Sequence, residues 1–255
     1  MYQREPFQAN YVVPDMAKKQ LVTFTLFRFS GWRNRWWAFR QMGLSAQLLR
    51  GVAGLQFGKM LGSGGGKGFS VLPNLGVYGL LGVWEDENAA RQFFTHHSFF
   101  QANLQHTQEY WTIFLNAYMA HGQWDGQSPF QLHDPPDENA PIAVLTRATI
   151  HTRRLWHFWQ HVPRVSHSIE AHPGKLFSIG VGELPIVQQV TFSLWENAAA
   201  MKNYAYQSRV HSNVVKQTRR YNWYKEELFA RFVPIATEGT WGGSNPLANY
   251  TIITQ

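Results

Sequence analysis

The alternation of apolar and polar positions divides the chain into strands and helices. Residues 21–29 (LVTFTLFRF) are almost continuously apolar, which predicts a strand, and residues 32–49 predict the helix that follows it. The same criteria predict three further elements in the first half of the chain. These are a strand at 78–83, the start of a helix at 86–94 and a strand at 111–118. The glycine-rich residues 61–69 predict a turn or a lid. They fit a phosphate-binding loop poorly, because Gly68 stands where that motif needs Ser or Thr.

The second half of the chain repeats this order of elements. Val190, Phe192 and Leu194 alternate as in a half-buried strand, and Asn197, followed by three alanines, predicts a capped helix start. Three pairs of motifs recur in sequence, and they match Arg28 with Arg147, Trp84 with Trp195 and Trp124 with Trp241. Each half therefore predicts a β-α-β-β-α-β unit, the ferredoxin-like arrangement.

Two such units would each leave one apolar sheet face exposed if they stood apart. The predicted fold class is therefore α+β, with tandem ferredoxin-like repeats forming a dimeric-type α+β barrel within one chain. In this prediction helices lie outside the barrel and its interior is a pocket. The predicted boundaries are a flexible N-terminus at 1–19, the first repeat at 20–132, a linker at 133–141, the second repeat at 142–247 and a tail at 248–255.

The amino-acid composition excludes several kinds of binding site and disfavours hydrolytic mechanisms. With 44% apolar residues among 255, the chain can bury a sizeable core. It contains no cysteine, which excludes disulfides, zinc-thiolate sites and thiolate-ligated haem. Only 16 acidic residues are present and no G-x-S-x-G motif occurs, so hydrolytic mechanisms are disfavoured.

Basic and aromatic residues interleave in WRNRWWAFR (32–40) and HTRRLWHFW (151–159), in a chain of net charge +7. This mixture suits a membrane interface and, less often, nucleic acid. Because Trp32, Trp36 and Phe39 have helical spacing, the favoured interpretation is core packing of an amphipathic helix. Without a signal peptide or a long apolar run, the sequence predicts a cytoplasmic protein with no nucleic-acid partner.

Several histidines are candidate ligands. His211 lies in a helical stretch whose apolar residues Val214 and Val215 share its face, a setting typical of a buried ligand or of a packed core histidine. His96 and His97 correspond loosely to it in the first half and rank second. His157 and His161 are four residues apart, but no third ligand is near in sequence, so we interpret them as surface or interfacial residues.

Arg28 and Arg147 lie within predicted strands among apolar neighbours. An unpaired charge there is costly, so each needs an anion. The two alternatives are a carboxylate of the protein and a propionate of a cofactor.

The chain resembles the spheroidene monooxygenase family of carotenoid biosynthesis from about residue 20 to 247. The likeness rests on several unusual motifs in the same order, among them LFRFSGW (26–32), WAFRQMG (37–43), GSGGGKGF (62–69), LTRATI (145–150), FSIGVGELP (177–185), QVTFSLW (189–195), EELFARF (226–232) and GTWGG (239–243).

The resemblance implies an oxygen-dependent, haem-dependent enzyme that oxidises an acyclic carotenoid at C-2, as in the conversion of spheroidene to spheroidenone. It implies haem b held by His211 as axial ligand, O2 as oxidant and reduced ferredoxin or a similar electron donor. With such a cofactor, Arg147, which needs an anion, is the predicted cofactor-binding residue. A carotenoid substrate further implies peripheral contact with the inner face of a membrane, and self-association stays open. The alternatives are a haem-dependent dehydratase or peroxidase on the same barrel, and a non-enzymatic haem- or carotenoid-binding protein.

Overall fold

The computed structural model describes residues 19–65, 72–160, 172–184, 186–207, 217–218, 220–250 and 252. These residues form eight β-strands and five α-helices. The strands are β1 (Leu21–Arg28), β2 (Leu55–Gly64), β3 (Pro73–Trp84), β4 (Glu109–Gly122), β5 (Ile142–Ile150), β6 (Lys175–Gly182), β7 (Gln188–Trp195) and β8 (Tyr224–Gly239). The helices are α1 (Trp32–Leu48), α2 (Glu87–His96), α3 (Ser98–His106), α4 (Leu155–Trp159), which follows a 3-10 turn at Thr152–Arg154, and α5 (Ala198–Lys202), which continues into a π-helical turn at Asn203–Gln207.

The strands close into one antiparallel barrel in the order β1-β3-β2-β6-β7-β5-β8-β4. Each half supplies four neighbouring strands in the ferredoxin-like order, β4-β1-β3-β2 and β8-β5-β7-β6. The halves join along a long seam between β4 and β8 and a short seam between β2 and β6, where Gly62 pairs with Gly182. The predicted fold class, tandem ferredoxin-like repeats closed into a dimeric-type α+β barrel, is confirmed.

Inward-facing side chains from both halves fill the barrel with a shared apolar core. Phe24 on β1 and Phe192 on β7 are fully buried there, and their rings stack with centroids 4.3 Å apart. Because each strand alternates its side chains between two faces, every second residue contributes to this core. In the described residues the interior is occupied by side chains, so the expected pocket inside the barrel is wrong.

The outer sheet faces carry separate apolar clusters beneath the helices. The cluster of the first half is large and aromatic, and it joins strand residues such as Phe27 and Tyr78 to Phe93 and Phe100 of α2 and α3. Among the described residues of the second half, the cluster centres on Trp195 and helix α5. Both halves therefore pack apolar side chains between the outer face of the sheet and the helices.

The helices that follow β3 and β7 begin in the same way. The side chains of Asp86 and Asn197 each accept a hydrogen bond from the backbone N–H three residues later, at 2.9 Å in both cases. These contacts satisfy one of the free N–H groups at each helix start. The capped start predicted at Asn197 is present, and Trp84 and Trp195 end the preceding strands at equivalent positions.

Gly122 and Gly239 end β4 and β8, and both adopt positive φ. A Cβ on Gly122 would lie 2.1 Å from the carbonyl oxygen of Glu227, so the close passage of the two strands requires glycine. The turns that follow present Trp124 and Trp241, each in an isolated β-bridge.

Two local predictions need correction. Residues 61–64 belong to β2 and not to a loop; β2 was missed because its glycines interrupt the apolar alternation, and residues 66–71 lie outside the described chain. Trp32, Trp36 and Phe39 are exposed, so the favoured assignment of these rings to the core is wrong. The face of α1 that packs on the sheet is a different one and includes Trp37 and Ala38.

Among the described residues, no helix combines the length and apolarity needed to cross a bilayer.

Candidate functional site

Arg147 is fully buried at one end of the barrel interior, in line with the inward-facing Ala143 and Leu145 of β5. Its Nη1 donates to the carboxylate of Glu226 on β8, and its Nη2 lies 3.3 Å from Asp125 Oδ1. A third carboxylate oxygen, Glu183 Oε1, is 3.8 Å away. Carboxylates of the protein therefore neutralise this guanidinium, which was one of the two predicted alternatives.

The same carboxylates bind a second cation. Lys59 Nζ on β2 contacts Asp125 and lies 2.7 Å from Glu183 Oε2, and Trp124 Nε1 donates to the other oxygen of Glu183 at 2.7 Å. We call Lys59, Asp125, Arg147, Glu183 and Glu226 the ion cluster. It links strands of both halves at one end of the barrel.

Electrostatics favour the charged forms of two members of the ion cluster, Glu226 and Lys59. Burial alone would raise the pKa of Glu226, but the backbone N–H groups of Gly126 and Asp125 and the guanidinium of Arg147 hold it below its ordinary 4.5. Burial alone would lower the pKa of Lys59, but hydrogen bonds to Asp125 and Glu183 raise it above 10.5. Charged hydrogen-bond partners favour the ionised form in both cases.

A smaller version of this arrangement lies at the equivalent place in the first half. Arg28 Nε is 3.2 Å from Glu109 Oε2, and the ring of Trp241 stacks on the guanidinium at 4.3 Å. Trp124 stacks on Arg147 in the same manner, at 5.5 Å. Each arginine thus contacts a tryptophan supplied by the other half.

The strand registers correct the predicted match between the two arginines. Arg28 pairs with Glu109 across β1 and β4, whereas the residue paired with Glu226 across β5 and β8 is Thr149. Arg147 therefore lies two residues deeper in the barrel than Arg28. This difference explains why the side chain of Arg147 is 0% exposed and that of Arg28 is 39% exposed.

At the centre of the outer sheet face, the side chains of the second half are smaller than those of the first half. Thr25 in the first half is fully buried and pairs with Leu80, while its register equivalent Thr146 is exposed and pairs with Thr191. The next strand repeats the contrast, because the buried Met60 of β2 is matched by a glycine, Gly180, in β6. Leu80 and Met60 of the first half are thus replaced by the smaller Thr191 and Gly180 in the second half.

A further charged residue, Arg231, lies on this outer face, and sequence reasoning missed it. Arg231 alternates with the inward-facing Ala230 and Phe232, stacks on Phe229 at 5.3 Å, and hydrogen-bonds to Tyr118. Its Nε is buried and has no hydrogen-bond acceptor among the described residues. The alternation within EELFARF (226–232) is the sequence signal that could have found it.

Three of the candidate histidines, His96, His97 and His157, lie within the described residues and form no metal-binding group there. His211 and His161 lie outside the described residues, and the role of His211 stays a prediction. His157 Nδ1 accepts from Trp223 Nε1 at 2.9 Å, and His97 Nδ1 accepts from the backbone N–H of Phe99, which caps α3. His96 is exposed at the end of α2, and the described part of the chain contains no group of three side chains placed to hold a metal ion.

Sequence comparison identifies relatives over most of the chain. It is 39% identical over 229 residues to a spheroidene monooxygenase of Cereibacter sphaeroides, covering 89% of this chain and 71% of the relative. A spheroidene monooxygenase of Rhodobacter capsulatus is 36% identical, with 90% of this chain and 96% of the relative covered. The chain belongs to the spheroidene monooxygenase family. As a member of that family it is an oxygen-dependent oxidoreductase.

A third relative, the spheroidene monooxygenase of Rubrivivax gelatinosus, is 32% identical over 82% of this chain and 80% of its own length. No protein-family model matches the chain. Among solved structures, two aldoxime dehydratases share the fold, with TM-scores of 0.56 and 0.55 at 11% identity, over 85% and 86% of this chain and 82% and 81% of theirs. In this spheroidene monooxygenase family member, the motifs LTRATI, FSIGVGELP and EELFARF contain Arg147, Glu183 and Glu226 of the ion cluster.

Proposed function

We propose that the chain is a haem-dependent monooxygenase that oxidises an acyclic carotenoid at C-2 to a keto-carotenoid, as in the conversion of spheroidene to spheroidenone. The names of the relatives support the carotenoid substrate. The observation that carries the location of the site is the exposed Thr146 at the centre of the second sheet, where the first half buries the same residue type. Room beside a sheet face, lined by few polar groups, is what a large flat ligand requires.

Haem fits this face better than the barrel interior. The interior is filled by packed side chains, whereas Thr146, Thr191 and Gly180 form a floor without bulky groups. The segment between α5 and β8 follows this floor in the chain and contains His211, which we propose as the axial ligand. Haem b bound there would supply the activation of O2.

The two arginines differ in their suitability for an anionic cofactor group. Arg147 was predicted for this role, but it already contacts Glu226, Asp125 and Glu183. The Nε atoms of both arginines are buried without an acceptor among the described residues, but Arg231 lies on the outer sheet face and forms no ion pair with a carboxylate there. We therefore propose Arg231 as the partner of a propionate, and assign Arg147 to holding the end of the barrel together.

The reaction needs an external reductant. Two successive hydroxylations at C-2 each consume one O2, two electrons and two protons and release one water, and the resulting geminal diol loses a further water to give the ketone. The sequence has no dinucleotide-binding fingerprint, so we propose a ferredoxin-type electron donor. The positive net charge suits an acidic donor.

The first prediction tests the site and the substrate together. Wild-type protein purified with haem should show a Soret band, and a host that accumulates spheroidene should form spheroidenone when it expresses the chain. His211→Ala should lose the band because the iron loses its ligand, and Thr146→Phe should lower haem content because the ring fills the floor. The matched variant Thr146→Val keeps the shape of threonine and should retain both the band and the product.

Two results would contradict this proposal. One is spheroidenone formation by a protein that carries no haem, which would remove the cofactor. The other is a wild-type spectrum and full product in both His211→Ala and Thr146→Phe, which would place the site elsewhere. Peroxide or aldoxime turnover without carotenoid oxidation would instead favour the alternative haem chemistries.

A further inference from the structure

Helix α1 exposes three aromatic side chains on one face. Trp32, Trp36 and Phe39 are 74%, 56% and 47% exposed, and their spacing of four and three residues aligns them along the helix. The rings of Trp36 and Phe39 stack at 5.6 Å. Because the opposite face of α1 packs on the sheet through residues such as Ala38, the core does not require these rings.

The charges on the same helix are all positive. Residues 32–50 contain four arginines and no acidic residue, namely Arg33, Arg35, Arg40 and Arg50. Arg33 lies over the ring of Trp32 at 5.6 Å, so charge and aromatic surface adjoin. Within the described residues none of the four forms an ion pair with a carboxylate, in contrast to Arg28 and Arg147.

We propose that Trp32, Arg33, Trp36, Phe39 and Arg40, which we call the α1 surface, dock the protein on an anionic lipid bilayer. Tryptophan and phenylalanine rings favour the boundary between headgroups and acyl chains, and guanidinium groups bind lipid phosphates. A helix lying along the surface satisfies both without crossing the membrane. The α1 surface has the composition of a helix that lies at the boundary between headgroups and acyl chains. Its aromatic rings follow one line along the helix, and the arginines lie beside that line.

Docking through the α1 surface is independent of the proposed oxidation. Vesicle binding requires neither haem nor carotenoid, so a failure of one proposal leaves the other untouched. If both proposals hold, docking places the enzyme at the lipid phase in which an acyclic carotenoid dissolves.

The second prediction is measured by flotation and by tryptophan fluorescence. The full chain should float with vesicles of phosphatidylglycerol and phosphatidylethanolamine at low salt, and should stay unbound with pure phosphatidylcholine or at high salt. The double variant Arg33→Gln/Arg40→Gln should bind about tenfold or more weakly, since each arginine near an anionic surface contributes several-fold to partitioning. The triple variant Trp32→Ser/Trp36→Ser/Phe39→Ser should bind at least as weakly and should lose the blue shift of fluorescence.

Two substitutions serve as matched controls. Arg91→Gln removes an arginine from α2, and Leu132→Ser removes an apolar side chain that is 53% exposed outside α1. Both should bind vesicles like the wild type. All variants change partly or fully exposed side chains, so unchanged far-UV spectra and melting temperatures establish that they are folded.

The proposal is overturned if the double and triple variants bind the anionic vesicles as the wild type does. It is equally overturned if the wild type ignores these vesicles but binds a reduced ferredoxin through α1, because the surface would then be a protein-docking site. Concentration-dependent dimerisation that the triple variant abolishes, without any vesicle binding, would assign the surface to a second copy of the chain and also overturn it.

Discussion

The effect of losing a charged partner depends on how deeply the strand register places the arginine in the barrel. Arg147 and Arg28 have the same kinds of partner, a glutamate on the neighbouring strand and a tryptophan from the other half. The deeper arginine is cut off from water, so losing its carboxylate leaves a buried charge. The shallower one can be solvated when its partner is lost.

The third prediction compares Glu226→Gln with its equivalent, Glu109→Gln. Glu226→Gln should lower the free energy of unfolding by about 2–3 kcal/mol, less than for an isolated buried pair because Asp125 and Glu183 still neutralise Arg147. Glu109→Gln should cost about 0.5–1 kcal/mol, because Arg28 is partly solvated. Urea denaturation of the two variants measures the difference, and equal costs would contradict the role assigned to burial.

The same pair predicts a pH dependence. The pKa values of Glu226 and Glu109 are held below the ordinary 4.5 in the folded protein. A carboxyl group whose pKa is lower in the folded state stabilises the protein above its unfolded pKa, and this stabilisation is lost as the pH falls through the folded value. Stability should therefore fall below about pH 4.5, and less steeply in Glu226→Gln; an unchanged acid limb would contradict this.

At the scale of elements, helix starts and strand ends are set by local chemistry. The side chain of Asp86 caps α2 by accepting a hydrogen bond. Asp86 and Glu87 are both acidic residues at the N-terminal end of the helix, where the helix dipole favours negative charge. This helix carries Phe93 and Phe94 into the outer core of the first half. Its stability is therefore coupled to that core.

The fourth prediction concerns this cap. Asp86→Ala should lower the free energy of unfolding by about 1 kcal/mol, because the backbone N–H of Ala89 loses its acceptor. Asp86→Ser restores an acceptor and should recover most of the loss. Thermal and urea unfolding give the two values, and a loss of equal size in both variants would show that capping is not the cause.

At the scale of the whole molecule, the two repeats share one interior. The stack of Phe24 on Phe192 joins strands of different halves, and the ion cluster spans both. Neither half can bury its inner sheet face alone. The chain should consequently unfold as one unit and not as two domains in succession.

The fifth prediction is a double-mutant cycle across the barrel. Phe24→Leu and Phe192→Leu should each cost about 1–2 kcal/mol and couple by about 1 kcal/mol, because the rings are in contact. Phe24→Leu with Phe100→Leu, on opposite sides of the same sheet, should be additive. All variants should show a single transition that coincides in fluorescence and far-UV signals, and two separate transitions would contradict a shared interior.

The sequence by itself determined the internal repeat, the fold class and most elements other than the glycine-rich β2, because period-two alternation and capping residues such as Asn197 act over a few neighbouring positions. Only the tertiary structure decided how the repeats align. A shift of two residues leaves every side chain on the same sheet face, so alternation alone could not show that Arg147 lies deeper than Arg28.

The sequence likewise showed that α1 is a helix with aromatic residues at a regular spacing, but not which of its faces packs on the sheet. The exposure of Trp32, the unsatisfied Nε of Arg231 and the contrast between Thr25 and Thr146 all depend on neighbours distant in the chain. Periodicity places a residue on a face of its own element, whereas burial is decided by what the rest of the fold brings against that face.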